Sequence, residues 1–429
     1  MDGFDRDYSS ELNREDSDAA HRSSDQARHH DHASPGAIPL FRALAPLLGQ
    51  FVRRGRLEIT YRDLAQAQFG DESGPRYRVR LDSLRAIPRI VRNPDLGCGE
   101  SYMDGQWSMD EGDLAGLIGL FLRNYNDAEG HPVGRTIWKG RGLLARNPSN
   151  NPEKSRRNAA HHYDIGNDLY EAFLDEGMNY SCAFFERPGQ SLRDAQLNKL
   201  RTTVKRLGVE PGMTVLDIGS GWGELTRVVA GETEAGRVTG ITLAENQLRM
   251  ARERADAMPG RHPEYRLVDY RDHAAQNPGS CDRVVSVGMF EHVGRRHLAE
   301  YFDAVRRLLR DDGRALVHSI MRPVPTETSS WILKYIFPGA YIPTLEMTVA
   351  AAQQAGLELA HAPFIHESFN YAETLRRWRH NFNQAWPRLD RTRYDERFRR
   401  MWNFYLCGAE AGFDTNRLFV GQVLLKKKG

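Results

Sequence analysis

The chain has too few cysteines, too evenly scattered, to make a covalent or metal framework. Cys98, Cys182, Cys281 and Cys407 are its only four in 429 residues and form no C-x-x-C pair. A zinc knuckle and a disulfide scaffold are therefore excluded, and a reduced, cytoplasmic setting is expected. No apolar stretch reaches the roughly 18 residues that a membrane span needs. The start is polar and charged, without an apolar core segment, so no signal peptide is expected. Neither sign of charge dominates: 59 Lys and Arg face 57 Asp and Glu, a net of +2. That balance gives no reason to expect a nucleic-acid partner. The dipeptide Glu291-His292 has no H-E-x-x-H continuation, so no metal is expected. What remains is a hydrophobic fraction of 40% and a charged fraction of 27%, ordinary for a globular protein and enough for a sizeable core. The length suits two or three domains.

Patterning divides the chain. Residues 1–38 are rich in Ser, His and acids, with little apolar periodicity, and read as a disordered tail. Residues 39–148 read as a small α+β domain, with helical spacing over 41–51, strands at 57–61 and 76–84 about the turn 70–74, and a helix over 114–122. The run Arg-Asn-Pro-Ser-Asn-Asn-Pro at 146–152 has linker character, and the linker is placed at 149–157. Residues 158–429 alternate strand and helix. Strands are predicted at 214–218, 237–241, 265–268, 283–287 and 314–318, and helices at 225–230, 244–257 and 296–309. Such alternation predicts a doubly wound, mostly parallel sheet, an α/β fold. An aromatic- and proline-rich insertion follows at 321–343, then helices over 371–386 and 394–411 and a last strand at 418–425.

The densest signal is Val215 to Gly223, VLDIGSGWG. An apolar run closed by Asp217 reads as a buried strand, and Gly219, Gly221 and Gly223 let the turn approach a ligand without a Cβ in the way. The dinucleotide fingerprint G-x-G-x-x-G needs a third glycine where Glu224 or Thr226 stands. The stretch instead resembles the AdoMet-binding motif of class I methyltransferases. Thr242, at the end of the second strand, and Gln247 are placed to grip the ribose, although Thr242 also suits a helix cap. After the third strand, Asp269 is a candidate acceptor for the adenine amino group and Tyr270 for stacking on the ring, with plain surface solvation the alternative for each.

Several further motifs, in order, are similar to those of the cyclopropane-fatty-acyl-phospholipid synthases. They are GESYMDGQW (99–107), HHYDIGNDLYEAFLDEGMNYSCAFF (161–185), TLAENQ (242–247), VSVGMFEHVG (285–294) and KYIFPGAYIP (334–343). The likeness runs from Leu57 to the C-terminus. It implies a seven-stranded class I AdoMet methyltransferase sheet with a helical lid insertion, and a small N-terminal domain for lipid binding and homodimer contacts. It implies transfer of a methylene carbon from AdoMet to the cis double bond of unsaturated phospholipid acyl chains. The carbocation so formed would be deprotonated by bound bicarbonate. Tyr180, Ser181 and Asn246 join the cofactor set by this resemblance. Cys182, Glu291, His318, Ile320 and Tyr371 match the bicarbonate cage: Glu291 and His318 to orient the anion, Tyr371 to donate to it, Cys182 and Ile320 to offer backbone groups. With no membrane span, transient contact with the inner membrane face is implied. Members of the wider family give methyl-branched chains instead, and that outcome, or a methylene chain, is the alternative here. One departure stands out. A late segment in which the family often carries a cysteine reads Tyr405-Leu406-Cys407-Gly408-Ala409-Glu410 here, with Ala409 in the cysteine's place. Two residues' displacement on a helix turns Cys407 to nearly the opposite face, so Cys407 is not expected to substitute.

Overall fold

The computed structural model describes residues 48–49, 51–61, 64–129 and 165–428. The expected tail and linker, and the start of the 161–185 motif, lie outside the described residues. Two compact units emerge.

The first comprises described residues 48–129 together with 390–411. Its sheet has the order β2-β1-β3-β4, with β1 Arg56–Tyr61, β2 Ala65–Phe69, β3 Arg76–Leu81 and β4 Trp107–Glu111. Strand alternation puts Leu57, Ile59 and Tyr61 of β1 into the core with Tyr77, Val79 and Leu81 of β3. Glu58 points the other way and is still buried, because Gln66 and Arg78 donate to it and Arg76 pairs with it. Sequence patterning finds β1 and β3 but not β2, whose AQAQF carries little apolar signal.

The stretch 390–411, assigned by patterning to the catalytic region, clusters with this small unit instead. Its Arg400 guanidinium sits 4.1 Å over the Tyr102 ring and donates to the Trp107 carbonyl at 2.6 Å, while Arg397 pairs with Asp104 at 2.9 Å. Cys407 is buried in the small unit's core. Helical periodicity marks an apolar face; it does not say which core covers that face.

The second unit comprises described residues 165–389 and 412–428. Its sheet follows the path β10-β12-β9-β8-β5-β6-β7. The strands are β5 Thr214–Ile218, β6 Arg237–Thr242, β7 Glu264–Leu267, β8 Cys281–Val287, β9 Leu309–Met321, β10 Leu357–Leu359, β11 Phe364–His366 and β12 Phe419–Lys427. β5 to β9 pair in parallel; β12 runs antiparallel to β9 and carries β10 and β11. The expected α/β class and seven-strand path are both present, with β11 an extra short partner of β12. Strand β5 buries Val215 toward Leu200, Leu207 and Val228, and Leu216 with Ile218 among Val284, Phe302 and Val305. Helices thus cover both faces, which explains why these strands are continuous apolar runs. The strand order reverses at β5, so the C-terminal ends of β5 and β8 open a crevice. Among the described residues no helix is long and apolar enough to cross a membrane.

The insertion holds a short helix, Ser330–Tyr335, capped by the Ser329 hydroxyl accepting from Ile332 N at 3.2 Å. Trp331, Ile336 and Tyr341 are buried, so part of this aromatic segment is core and part, below, is cavity wall.

Because Cys407 fills core space in the small unit, Cys407→Ala should cost about 1 kcal/mol of stability by loss of one buried heavy atom. Turnover at 25 °C should stay within about twofold, since no chemistry is assigned to the thiol. Thermal melts and initial rates check both; complete inactivity in a folded variant would give the thiol a chemical role.

Candidate active site

A cavity of about 180 Å³ opens where β5 ends, walled by Asp217, Gly219 and Gly221 of the glycine turn. The three glycines all hold positive φ (79°, 55° and 85° at Gly219, Gly221 and Gly223) but do different work. A Cβ on Gly219 would lie 2.8 Å from Met289, and one on Gly223 2.4 Å from the Tyr265 hydroxyl. A Cβ on Gly221 would meet nothing within 4 Å. Gly219 and Gly223 therefore permit close packing, whereas Gly221 leaves room for something not protein. Gly223 stands outside the cavity wall, its carbonyl accepting from Tyr265 at 2.9 Å.

Thr242 and Gln247 line the cavity together, their side chains joined at 2.9 Å while Thr242 Oγ1 also accepts from Ala244 N. Thr242 therefore lines the wall and closes a turn, but it does not cap the Glu245–Asp256 helix, whose N-cap position is Ala244 with no side-chain bond. Asn246 is turned outward and accepts from Arg249 at 3.3 Å. Asp269 and Tyr270 reach the cavity too. Asp269 caps the Tyr270–Gln276 helix through Arg271 N and is gripped by the Arg271 guanidinium at 2.8 Å.

Opposite the glycine turn lie Tyr180 and Ser181. They are held by the helix Leu192–Leu207, whose inner face carries Gln196, Lys199 and Thr203 between Leu200 and Leu207. Lys199 donates to Asn179 Oδ1 at 3.2 Å and to Ser181 Oγ at 3.0 Å, and Gln196 donates to the Ser181 carbonyl at 2.8 Å. Burial draws the Lys199 ammonium down to about 8. Burial likewise pushes Asp217 up to about 7, opposed by the Thr226 hydroxyl bond and by the Lys199 charge. The sequence reading missed Lys199, along with Trp222 and His292 of the same wall, whereas Phe337 comes from the aromatic insertion that the sequence marks out. For Lys199 a signal existed: polar residues at i, i+3 and i+7 on the face that should be apolar.

A second group gathers past the ends of β8 and β9. Strand β8 stops at Val287, paired with His318, so Ile320 stands beyond that ladder. Its amide donates to Glu291 Oε1 at 2.6 Å instead. Glu291 Oε2 is buried and has no hydrogen-bond partner, and burial pushes the carboxyl up to about 7. His318, on the same face of β9 as Ile320, is buried, held neutral chiefly by desolvation, and meets Gln422 at Nδ1 (3.1 Å). Its ring lies 6.0 Å from that of Phe184. Cys182 is buried nearby in sequence, its thiol donating to the Ala183 carbonyl at 3.2 Å and kept well above the ordinary thiol range by desolvation. It is thus an inert thiol rather than a nucleophile. Ala183 N and Phe185 N donate to Thr374 and Asn370 at 3.0 and 2.7 Å. Those contacts tie the Cys182 segment to the helix Ser368–Ala385, which carries Tyr371, itself stacked on Phe413 at 4.5 Å. Glu291 and Ile320 are thus in direct contact and His318 shares β9 with Ile320, whereas the contacts of Cys182 and Tyr371 tie those two residues' segments to each other rather than to Glu291.

Residues 150–423 match the family model described as mycolic acid cyclopropane synthetase. The chain belongs to this family. The tuberculostearic acid methyltransferase UfaA1 of Mycobacterium tuberculosis is 35% identical over 91% of this chain and 93% of its own. The cyclopropane-fatty-acyl-phospholipid synthase of Escherichia coli is 33% identical over 81% of this chain and 87% of its own. The solved cyclopropane synthase MmaA2 from M. tuberculosis superposes with a TM-score of 0.59 at 30% identity, covering 63% of this chain and 98% of that one. A coclaurine N-methyltransferase, at 18% identity and a TM-score of 0.60, shares the fold. The chain is an AdoMet-dependent methyltransferase of the family, and the cavity at the glycine turn is where its residues fit the cofactor: an open space beside Gly221, hydroxyl and amide groups at Thr242 and Gln247, and a carboxylate and ring at Asp269 and Tyr270.

Gly221→Val should therefore fold, at a cost of about 1–3 kcal/mol of backbone strain, and lose AdoMet affinity by at least about tenfold, since β-branched carbons would fill the ligand's space. Calorimetric titration with AdoMet checks this, and undiminished affinity in a folded variant would move the cofactor elsewhere.

The Glu291 carboxyl generates a second expectation. Its folded-state pKa lies above the unfolded value of 4.5, so the native state retains a proton that the unfolded chain has released. The native state accordingly loses stability as pH rises from about 4.5 to about 7. Glu291→Gln has no such loss. Its melting temperature relative to wild type, measured without AdoMet, should climb across that window and be flat below it. A constant difference would mean that Glu291 is not desolvated.

Proposed function

We propose that the protein transfers a one-carbon unit from AdoMet to the cis double bond of an unsaturated acyl chain in a phospholipid and closes it to a cyclopropane. The observation that carries this reading is Glu291, a buried carboxylate with one oxygen bound by Ile320 N and the other without a partner. An alkene is a weak nucleophile, and its methylation leaves a carbocation whose ring closure requires loss of a proton from the new methyl group. A free carboxylate in contact with that cation invites alkylation. Here Glu291 is already engaged by a backbone donor and has one acceptor left for an O–H group, which fits a bicarbonate ion. Bicarbonate held there would supply the base.

The chain's own residues do the rest. Lys199 and Gln196 hold Tyr180 and Ser181 against the cofactor cavity. Tyr170, Phe173 and Trp378 surround the Tyr180 ring at 5.4, 5.9 and 5.3 Å, excluding water and offering π faces to a cation. His318, neutral, donates without adding charge beside that cation. The insertion contributes Phe337 and Pro338 to the cavity wall, and its apolar side chains suit an acyl chain withdrawn from a bilayer during transient contact with the membrane surface. The synthase relative named for phospholipids supports the substrate class.

A second reading has its own support: UfaA1, similar over nearly the whole chain, is named as a methyltransferase rather than as a cyclopropane synthase. In that case the cation, after a hydride shift along the chain, would lose a proton to give a methylene chain or an unsaturated methyl-branched one.

The product decides. With vesicles of a dioleoyl phospholipid and AdoMet bearing a CD₃ group, ring closure should leave two deuterons per added carbon. The unlabelled product should show high-field ring protons in its NMR spectrum. Turnover should drop in CO₂-depleted buffer and recover when bicarbonate is added. An exocyclic alkene with two deuterons, or a branch retaining three, would overturn cyclopropanation in favour of the second reading.

A further inference from the structure

We propose that Gln422, oriented by Arg206, is a positioning residue that locks neutral His318 in the tautomer with its proton on Nε2. The proposal rests on the reading above only for the consequence of that lock, not for the lock itself.

The register of β12 on β9 places Gln422 directly opposite His318, and Gln422 is fully buried. Its amide has four polar neighbours within reach: Arg206, Thr203, His318 and, beside Arg206, His366. Arg206 Nη1 donates to Oε1, and Nε2 lies 3.1 Å from both Thr203 Oγ1 and His318 Nδ1. The way round of a glutamine amide follows from what its neighbours can do. A guanidinium only donates, so the atom facing Arg206 must be the oxygen. The Thr203 hydroxyl spends its proton on the Lys199 carbonyl at 2.7 Å, so toward Gln422 it can only accept. Two independent neighbours therefore demand the same orientation. A flipped amide would set N–H against a guanidinium and a carbonyl against a lone pair.

With the NH₂ group thus fixed on the His318 side, His318 Nδ1 meets a donor and must accept. A neutral imidazole carries one proton, which is left on Nε2. The imidazolium is disfavoured by the same contact, since a proton on Nδ1 would face the Gln422 N–H. It is disfavoured above all by desolvation, and then by the neighbouring His366, Lys199 and Arg206. Arg206 is itself fixed. It donates to His366 Nε2 at 2.9 Å and lies 4.0 Å over the Phe364 ring. The chain from Arg206 through Gln422 to His318 therefore has one hydrogen-bond sense, set by a group that cannot reverse.

The consequence is chemical. A His318 locked this way presents an N–H donor at Nε2 and no free lone pair. It can steady an anion but cannot take the proton released at ring closure, so the base must come from elsewhere.

Long-range ¹H–¹⁵N spectra of the full-length protein labelled at histidine, with the His318 signal assigned by its absence in His318→Gln, test this. At pH 7–8 wild-type His318 should show an unprotonated Nδ1 and a protonated Nε2; an Nδ1–H tautomer or an imidazolium would overturn the lock, and this spectrum needs no variant at position 422 to fold. Gln422→Glu replaces the donor by an acceptor of nearly equal shape while keeping the Arg206 contact. Its His318 should gain a proton at Nδ1, and turnover should fall at least tenfold with AdoMet affinity kept. An unchanged tautomer in that variant would also overturn the proposal. A switched tautomer with normal turnover would support the lock and remove His318 from the reaction, which separates this claim from the proposed function.

Discussion

The hydrogen bond from Ile320 N to Glu291 Oε1 is the contact on which the catalytic half of the larger unit turns. A buried carboxyl group is costly unless its oxygens are satisfied; the Ser319 hydroxyl acts on the Glu291 carboxyl against its desolvation, and Glu291 Oε1 accepts from Ile320 N. That bond exists because β8 is shorter than β9: once β8 ends opposite His318, the next amide on that edge has no strand partner. The backbone of Glu291 takes up a second task, its carbonyl accepting from Tyr341 N at 2.8 Å and so tying the insertion to the strand ends. One residue thus ties the ends of the strands to the insertion.

Rigidity in the facing wall comes from polar contacts made in the dry. The 179–185 segment has no secondary structure of its own and is instead bound from two sides, by Gln196 and Lys199 on one helix and by Asn370 and Thr374 on another. Networks of this kind are stable only when nearly every member is paired. The pairing is close to complete around Ser181, where the hydroxyl and the carbonyl each receive a donor. The outcome is a wall set before ligand arrives, the condition under which fixed dipoles contribute most to a reaction involving charge.

Much of this was legible in the residues and some was not, for physical reasons. β5, β6, β8 and the core of β9 are buried on both faces, so they announce themselves as apolar runs. The glycine turn is visible because glycine adopts positive φ at least cost, yet the division of labour among Gly219, Gly221 and Gly223 depends on Met289, just past the end of β8, and Tyr265 of β7, both far away in sequence. β10 and β11 have three residues each, too short for a period to register. Gln422 carries no such signal, and only tertiary packing shows it buried; Lys199 has its helical spacing with Gln196 and Thr203 but no sign of what it faces. The placement of 390–411 with the small unit escaped for a related reason: an amphipathic helix names its own inner face but not its neighbour.

The two candidate products differ in less than the shared architecture suggests. Both would begin with the same methyl transfer, and both need the cation kept from water. They part over which carbon carries the charge when a proton leaves, and over how near the proton acceptor stands to the new methyl group. Neither quantity is a property of the glycine turn or of the ribose contacts, so likeness in those motifs carries no information about the outcome. In the reaction proposed above, what would bear on it is the unpartnered Glu291 Oε2 and the donor sense proposed for His318. An anion held between an acceptor and a donor that cannot reverse keeps its place while the cation forms. A base held still beside the new methyl favours immediate closure, because a hydride shift must compete with a proton transfer already aligned. The arrangement of Glu291, Ile320, His318 and Gln422 therefore weighs toward the ring.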